Sequence, residues 1–418
     1  RRPRTGSRSG GAQPAEVVHP SDAPQPDAVF RTTHSVLVRP AEDLGELDDE
    51  SVDLVVTSPP YPMIEMWDGS FAEQDPAIAT SLAQGRGTEA FDRMHAILAR
   101  VWRECFRVLK PGCLACINVG DATRSLDGRF RLYSNHSRII TDCEAIGFET
   151  LPLVLWRKQT NAPNKFMGSG MLPGGAYVTL EHEYILVLRK GGKREVPADA
   201  RTRRRESAFF WEERNRWFSD VWDFKGVRQS VTAVPGGGSR AAGRAADGEG
   251  AGRQLPARER TGAFPFELAY RLINMYSMRQ DTVLDPFLGT GTTTVAAIAA
   301  ARNSVGAEID TGVAKMVPDT VATAAGGFNA RVWARVTDHL EFVRRYETDH
   351  GKPPGHLSRT FGFPVMTGQE EEMTLSSVES VERKRDTGMR AAHRDLDSGD
   401  LERGGPAPPE LTGFGRLF

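Results

Sequence analysis

The hydrophobic pattern of this chain alternates between short apolar runs and longer stretches with helical spacing. Short continuous runs predict buried strands, and apolar residues that recur about every three to four positions predict helices packed on one face. In the first half, the predicted strands lie at 35–38, 51–57, 114–119, 151–156 and 184–188, and the predicted helices at 91–109 and 134–146. In the second half, helices are predicted at 265–277 and 292–301, and strands at 282–284 and 304–309.

Between these halves, from Lys190 to about Thr261, the periodicity is lost. Strand–helix alternation on both sides predicts one doubly wound α/β domain, with a mostly parallel sheet and an inserted region. The predicted organisation is a disordered N-terminal segment at 1–30, domain parts at 31–190 and 262–350, an insert at 191–261 and a mostly disordered tail at 351–418.

The turn Ser58-Pro59-Pro60-Tyr61 ends the second predicted strand. Two prolines end a strand because each lacks an N–H, and a proline also restricts the residue before it. The turn presents a hydroxyl, carbonyls and an aromatic ring at the carboxyl end of a strand, the edge where open α/β sheets bind ligands. This cluster suits a planar base with an amino group. The alternative is an ordinary strand end whose tyrosine belongs to the core.

A glycine-rich turn, Asp285-Pro-Phe-Leu-Gly-Thr-Gly291, lies between a predicted strand and a predicted helix. Glycine allows close approach of a ligand, and the N-terminus of the helix offers free N–H groups to a carboxylate or phosphate. The turn lacks the residues of a P-loop and of a complete dinucleotide fingerprint. Glu308, at the end of the next strand, is placed to bond ribose hydroxyls. Together they predict an adenosine ligand without a triphosphate; an ordinary tight turn is the alternative.

Composition narrows the function classes. The 418 residues are 39% hydrophobic and 26% charged, which is typical of globular proteins. We expect no membrane span and no secretory signal, because no sufficiently long apolar run is present. Cys113 and Cys116 have the C-x-x-C spacing of zinc ligands, but no second pair completes a site, so we predict packing in a strand and no metal.

The charge is unevenly distributed along the chain. The net charge is −2, but residues 189–260 contain 17 Lys and Arg against 10 Asp and Glu. This basic insert, with the run Arg203-Arg204-Arg205, predicts a surface that contacts phosphates. A solvated linker is the alternative. We interpret the aromatic residues of the insert as a small core of its own rather than a base-stacking platform. They are Phe209, Phe210, Trp211, Trp217, Phe218 and Trp222.

In this order, the motifs resemble those of the DNA amino-methyltransferases, which methylate an exocyclic amine with S-adenosylmethionine. Thr57-Ser-Pro-Pro-Tyr61 is similar to their catalytic motif, Asp285 to Gly291 to their cofactor motif, and Phe264-Pro-Phe-Glu-Leu268 to the preceding helix. Glu181 to Lys190 resembles the strand before their target-recognition region. The order matches the beta group, and the resemblance covers about residues 33–325.

The resemblance implies a Rossmann-like methyltransferase fold with a circularly permuted motif order and a target-recognition insert. It implies S-adenosylmethionine as cofactor, double-stranded DNA as substrate, a prokaryotic cytoplasmic location, a monomer or homodimer, and a restriction endonuclease as a candidate partner. The implied catalytic residues are Ser58, Pro59, Pro60 and Tyr61. The implied cofactor-binding residues are Thr57, Phe264, Pro265, Asp285, Phe287, Gly289, Gly291, Thr292 and Glu308.

The first position of the catalytic motif bears on the target base. Within the family, serine there goes with N4-cytosine methylation and aspartate with N6-adenine methylation, so Ser58 points to cytosine, with adenine as the alternative. No Pro-Cys dipeptide is present, which disfavours C5 methylation. One position departs from the family, because the strand before the catalytic one usually ends in Gly-Asp. Here Arg39-Pro40 stands there, and Glu42 or Asp43 is left to contact the adenine amine of the cofactor.

Two readings of other classes stay open. One is a DNA-binding module that keeps the fold without activity, and two intact motifs count against it. The other is an enzyme that methylates RNA or protein amides through a related Asn-Pro-Pro-Tyr turn. The basic insert favours duplex DNA over that reading.

Overall fold

The computed structural model describes residues 29–158, 167–168, 172–225, 264–384 and 388–403. The strands are β1 (Phe30–Val38), β2 (Val52–Thr57), β3 (Leu109–Val119), β4 (Ala122–Leu126), β5 (Arg129–Tyr133), β6 (Phe148–Arg157), β7 (Met167–Gly168), β8 (Ala176–Tyr177), β9 (His182–Lys190), β10 (Val221–Asp223), β11 (Thr282–Asp285), β12 (Asn303–Glu308), β13 (His356–Leu357), β14 (Pro364–Val365), β15 (Ser376–Arg383) and β16 (Met389–Asp395). The α-helices are α1 (Asp68–Gln74), α2 (Ala77–Ala83), α3 (Gly87–Val108), α4 (Asn135–Ile146), α5 (Arg201–Glu206), α6 (Trp211–Trp217), α7 (Phe266–Tyr276), α8 (Thr292–Ala299), α9 (Thr311–His350) and α10 (Ser398–Glu402).

In the described part of the chain, ten strands form one central sheet in the order β10-β6-β9-β3-β2-β11-β12-β1-β16-β15. Five adjacent strands, from β3 to β1 in this order, are parallel, whereas β9 and β16 run in the opposite direction. Alternate side chains of β2 face opposite layers: Val55 packs with α3, and Leu54 and Val56 pack with α7 and α8. The predicted doubly wound, mostly parallel α/β fold is confirmed.

The alternation of strand side chains also separates the two cysteines of the C-x-x-C spacing. Cys113 and Cys116 are both buried in β3, but they belong to apolar clusters on opposite faces of the sheet. Burial raises the pKa of the Cys113 thiol to about 11. Two thiols on opposite faces cannot bind the same metal ion. Within the described ranges, no helix is long and apolar enough to cross a membrane.

The described part of the tail differs from the prediction of disorder. β16 pairs with β1 in antiparallel orientation, and β15 pairs with β16, so the tail extends the central sheet. The Thr32 hydroxyl of β1 hydrogen-bonds to the buried Nε2 atoms of His34 and His393, at 2.9 and 2.8 Å. β15 and β16 contain few large apolar residues, so their burial depends on pairing with β1, more than 300 positions away in the sequence. Local hydrophobicity therefore did not reveal them.

The aromatic residues of the insert are not a separate core, and the interpretation that they are was wrong. Trp217 and Trp222 are fully buried in the same cluster as Trp156 of the central sheet. Phe210 stacks on His339 of α9 with ring centroids 4.0 Å apart, and it shares a cluster with Phe363 of the tail. The rings therefore fill the space between the sheet, α9 and the tail. The rest of the predicted insert, 226–261, lies outside the described residues.

Candidate active site

The two predicted motifs meet because their strands are neighbours. β2 and β11 are parallel and adjacent, so their carboxyl ends share one edge of the sheet. The Thr57 hydroxyl donates a hydrogen bond to Asp285 Oδ1 at 2.6 Å, and the Thr293 hydroxyl of α8 donates to Oδ2 at 2.5 Å. The backbone N–H of Phe287 also donates to Oδ1, at 3.0 Å. Asp285 thus joins the two turns, and its burial raises the pKa of its carboxyl to about 6.

The glycine-rich turn is held by Glu308 at the end of β12. The Glu308 carboxylate accepts hydrogen bonds from the N–H groups of Gly289 and Asp310, both at 2.9 Å, and its burial raises its pKa. Gly291 has φ 95°, and a Cβ there would lie 2.7 Å from Val317 Cγ1 of α9. Only glycine allows both this backbone conformation and this packing. The turn is therefore preformed, with the N-terminus of α8 behind it.

A cavity of about 200 Å³ lies between the two turns. Its lining includes Ser58 and Pro60 of the first turn and the predicted cofactor residues Phe264, Asp285, Phe287, Gly289, Thr292 and Glu308. The other predicted cofactor residues lie behind this surface: Thr57 and Gly291 are buried beside it, and Pro265 precedes α7. A further wall of the cavity was not predicted from the sequence. Its residues come from α1 and the turn before it, a segment in which no motif was identified. They are Trp67, Ser70, Phe71 and Gln74.

The two acids after β1 occupy different positions. Glu42 lines the cavity and pairs with Arg100 of α3 at 3.0 Å. The Asp43 side chain is 67% exposed and lies 3.6 Å from Arg39. Of the two residues that follow the departure at Pro40, Glu42 is therefore the one that lines the cavity.

The Tyr61 hydroxyl lies at the centre of a polar network beside this cavity. It lies 3.0 Å from the Ser58 hydroxyl, donates to Glu183 Oε2 at 3.0 Å and accepts from Asn118 Nδ2 at 2.9 Å. Asn118 also donates to Glu183 at 2.7 Å, and the Lys158 ammonium pairs with the other Glu183 oxygen. Burial and the nearby Glu183 carboxylate raise the Tyr61 pKa well above its usual value. Tyr61 is therefore a neutral phenol in a fixed orientation.

Asn118 and Glu183 are site residues that sequence reasoning missed. Asn118 lies near the end of β3, and Glu183 lies at the start of β9, beside Tyr184, which pairs with Val119. The antiparallel pairing of β3 with β9 brings these two side chains to Tyr61, and no local sequence pattern predicts that pairing. The position of Glu183 directly before the apolar run Tyr184 to Leu188 of a predicted strand was the available signal.

The run Arg203-Arg204-Arg205 lies far from Ser58, at the amino-terminal edge of the sheet. The chain reaches that edge at the end of β9, and Arg194 there pairs with Asp53 and Asp281, at the starts of β2 and β11. Arg203 lies 3.5 Å from the same Asp281 carboxylate. The run therefore lies at the edge of the sheet opposite Ser58, and its contact with phosphates stays a prediction.

A different exposed surface adjoins the active site. The hairpin of β4 and β5 follows Gly120-Asp121 at the carboxyl end of β3. At its tip, Phe130 is 41% exposed and stacks on Tyr177, which is 53% exposed, with centroids 5.1 Å apart. Arg129 and Arg131 flank this ring on the exposed strand. The hairpin thus offers rings and cations on the side of the sheet that holds Ser58.

Known proteins resemble this chain over most of its length. The family model described as DNA methylase matches residues 52–318. The Type II methyltransferase M.MthZI of Methanothermobacter thermautotrophicus is 46% identical over 83% of this chain and 91% of its own length. M.MjaI of Methanocaldococcus jannaschii is 45% identical over 69% of this chain and 91% of its own. Among solved structures, one similar fold is that of TTHA0409 of Thermus thermophilus, a putative DNA modification methylase complexed with S-adenosyl-L-methionine. Its TM-score is 0.50 and its sequence identity is 30%, and the match covers 69% of this chain and 95% of that one.

Proposed function

Since the chain belongs to the N6/N4 DNA methylase family, we propose that it is a beta-group enzyme that methylates the N4 amine of a flipped cytosine in double-stranded DNA. The observation that carries this proposal is the joining of the Ser-Pro-Pro-Tyr turn to the glycine-rich turn, through Thr57 and Asp285, around one cavity. We expect a cytoplasmic prokaryotic protein, monomeric or homodimeric, that protects host DNA from a cognate restriction endonuclease.

The cofactor is S-adenosylmethionine, and the cavity residues fit its parts. The Glu308 carboxylate would hold ribose hydroxyls, as acids after the second strand of nucleotide-binding units do. The N-terminus of α8 and the glycine turn would receive the methionine carboxylate, and Phe264 and Phe287 offer apolar walls to the rest. When bound, S-adenosylmethionine supplies an electrophilic methyl group.

The residues of the first turn position the target amine. The cytosine leaves the duplex at a cost of a few kcal/mol, and the Tyr61 ring stacks on it. The Ser58 hydroxyl and the Pro59 carbonyl accept hydrogen bonds from the N4 amine, which orients the nitrogen lone pair. As the amine becomes cationic, the same acceptors stabilise its charge until it loses a proton to water. The bonds from Asn118 and to Glu183 keep the Tyr61 ring in place, and no covalent intermediate with the protein is required.

The identity of the methylated nucleoside tests the proposed function. Unmethylated bacterial DNA is incubated with the purified protein and S-adenosylmethionine, digested to nucleosides and examined by mass spectrometry. We expect N4-methylcytosine. N6-methyladenine would instead support the alternative specificity, and transfer only to RNA or protein would contradict DNA as the substrate. The Ser58 hydroxyl is the reason to favour cytosine.

We expect Asp285→Ala to raise the dissociation constant of S-adenosylmethionine at least about ten-fold. The substitution removes three hydrogen bonds to a buried carboxylate, each worth about 1 kcal/mol or more, and so loosens the turn that binds the cofactor. Isothermal titration calorimetry measures the change, and thermal unfolding checks that the variant is folded. Thr293→Ser keeps all three bonds, because serine has the same hydroxyl, and it is the matched control. An unchanged dissociation constant in Asp285→Ala would remove this residue from the cofactor site.

A further inference from the structure

A second large cleft lies at the amino-terminal edge of the sheet, away from the active site. Its volume is about 1760 Å³. Its floor includes Gly112 and Leu114 at the start of β3, one wall is formed by the segment from Lys193 through α5 and α6, and the other by the loop at 367–372. None of the residues assigned to the proposed reaction lines it.

The cleft is rich in cations. Eight line it: Arg189, Lys193, Arg194, Arg201, Arg204, Arg205, Arg214 and Arg359. The acids that line it are Glu370, Glu371 and Glu372, and they have partners of their own. Arg359 pairs with Glu371 and Glu372, Arg205 also pairs with Glu372, and Glu370 accepts the N–H of Trp211. The acidic wall is thus largely neutralised within the protein.

Four of the cations have no ion pair among the described residues. Lys193, Arg201, Arg204 and Arg214 are all exposed, and they follow one wall of the cleft. Arg214 lies over the ring of Phe218 at 5.5 Å, and that ring is 39% exposed. In a chain whose net charge is −2, four unpaired cations along one wall form a surface suited to a polyanion.

The cleft and the active site lie at opposite edges of the sheet, so a straight duplex that lies along one edge does not reach the other. Leu114 on the floor of the cleft and Val119 at the active edge are five residues apart in the extended part of β3, roughly 17 Å at about 3.3 Å per residue. Duplex DNA is stiff over about 150 base pairs, so it does not fold around one sheet edge to reach the other without a large bending cost. A duplex bound in the cleft must therefore be a different segment.

We propose that this cleft binds the phosphate backbone of a second double-stranded DNA segment, independently of base sequence. Lys193, Arg201 and Arg204 would contact phosphates and release counterions, and Arg214 would extend the row. The enzyme would then hold one duplex at each edge of its sheet. The inference rests on DNA as the substrate of the proposed function, but not on which base is methylated.

Binding stoichiometry tests this second site. Full-length protein is titrated with a labelled 12-base-pair duplex of arbitrary sequence at low salt, and fluorescence anisotropy reports the duplexes bound per chain. We expect two for the wild type and one for the triple variant Lys193→Gln, Arg201→Gln, Arg204→Gln. We also expect the affinity of this triple variant for a long duplex to depend less on salt. The slope of log K against log salt concentration should fall in magnitude by about 3, since each phosphate contact contributes about 0.9.

The matched control removes three exposed cations elsewhere. Lys315, Arg344 and Arg345 of α9 are exposed and have no ion pair among the described residues, so their glutamine variant carries the same net charge. We expect it to bind two duplexes. Equal stoichiometry and salt slope in the two triple variants, or one duplex per wild-type chain, would overturn the proposal. Methyl transfer to short fragments is measured separately and is expected to be unchanged in both variants, so a failure of the proposed function is distinguishable.

Discussion

We expect Ser58→Ala to transfer methyl groups about a hundred-fold more slowly than the wild type, with the affinity for S-adenosylmethionine nearly unchanged. The loss of one preorganised polar group that stabilises developing charge typically costs this much in rate. Ser58 is half-buried and lies 3.0 Å from the Tyr61 hydroxyl, so its oxygen is already oriented before the base arrives. Alanine removes the acceptor but keeps the backbone and Pro59. Single-turnover kinetics and calorimetric titration measure the two quantities.

The control for this variant comes from the same cavity. Ser70→Ala removes a hydroxyl of α1 that lines the cavity but lies outside the proline turn. We expect its transfer rate to stay within about three-fold of the wild type, because only Ser58 is proposed to contact the amine. A full rate in Ser58→Ala would contradict the proposed mechanism, and a similar loss in both variants would assign the effect to the cavity as a whole.

Tyr61 shows how much of the candidate site the sequence could predict. The Ser-Pro-Pro-Tyr turn is a local motif, and its place at a strand end follows from the prolines and the apolar run before them. The partners of Tyr61 are not local: Asn118 and Glu183 lie 57 and 122 positions away and meet it through the pairing of β3 with β9. The spacing of residues in the sequence does not show which strands are antiparallel neighbours, so this network could be identified only from the fold.

The same distinction explains the fold. The central parallel strands β2 and β11 are buried on both faces, so their continuous apolar runs were visible in the sequence. β16 is different, because Ala391 and His393 are buried only through pairing with β1 and packing around it. The insert is different for a related reason. Trp217 contacts Phe209 and Trp222 of its own segment, but it is also buried against residues of the sheet and α9 that its segment does not predict.

A buried ion pair joins the insert to the domain. Glu213 of α6 and Arg335 of α9 are 2% and 4% exposed, and two hydrogen bonds of 2.7 Å link them. Glu213 also accepts the backbone N–H of Phe210 at 3.1 Å. The arginine carries its charge over the ring of Trp217, with 5.4 Å to the centroid. Removing either partner would leave the other charge uncompensated away from water.

We expect Arg335→Met to lower the free energy of unfolding by about 3–5 kcal/mol, because it leaves the Glu213 carboxylate buried and unpaired. Chemical denaturation measures the loss. The double variant Glu213→Gln, Arg335→Met should recover much of it, since glutamine is neutral and can still accept the N–H of Phe210. Arg216 and Asp338 form an exposed pair between the same two helices at 3.7 Å, so Arg216→Met should cost less than about 1 kcal/mol. If Arg335→Met cost no more than Arg216→Met, α6 would not be anchored through this pair, and the integration of the insert would depend on its aromatic rings alone.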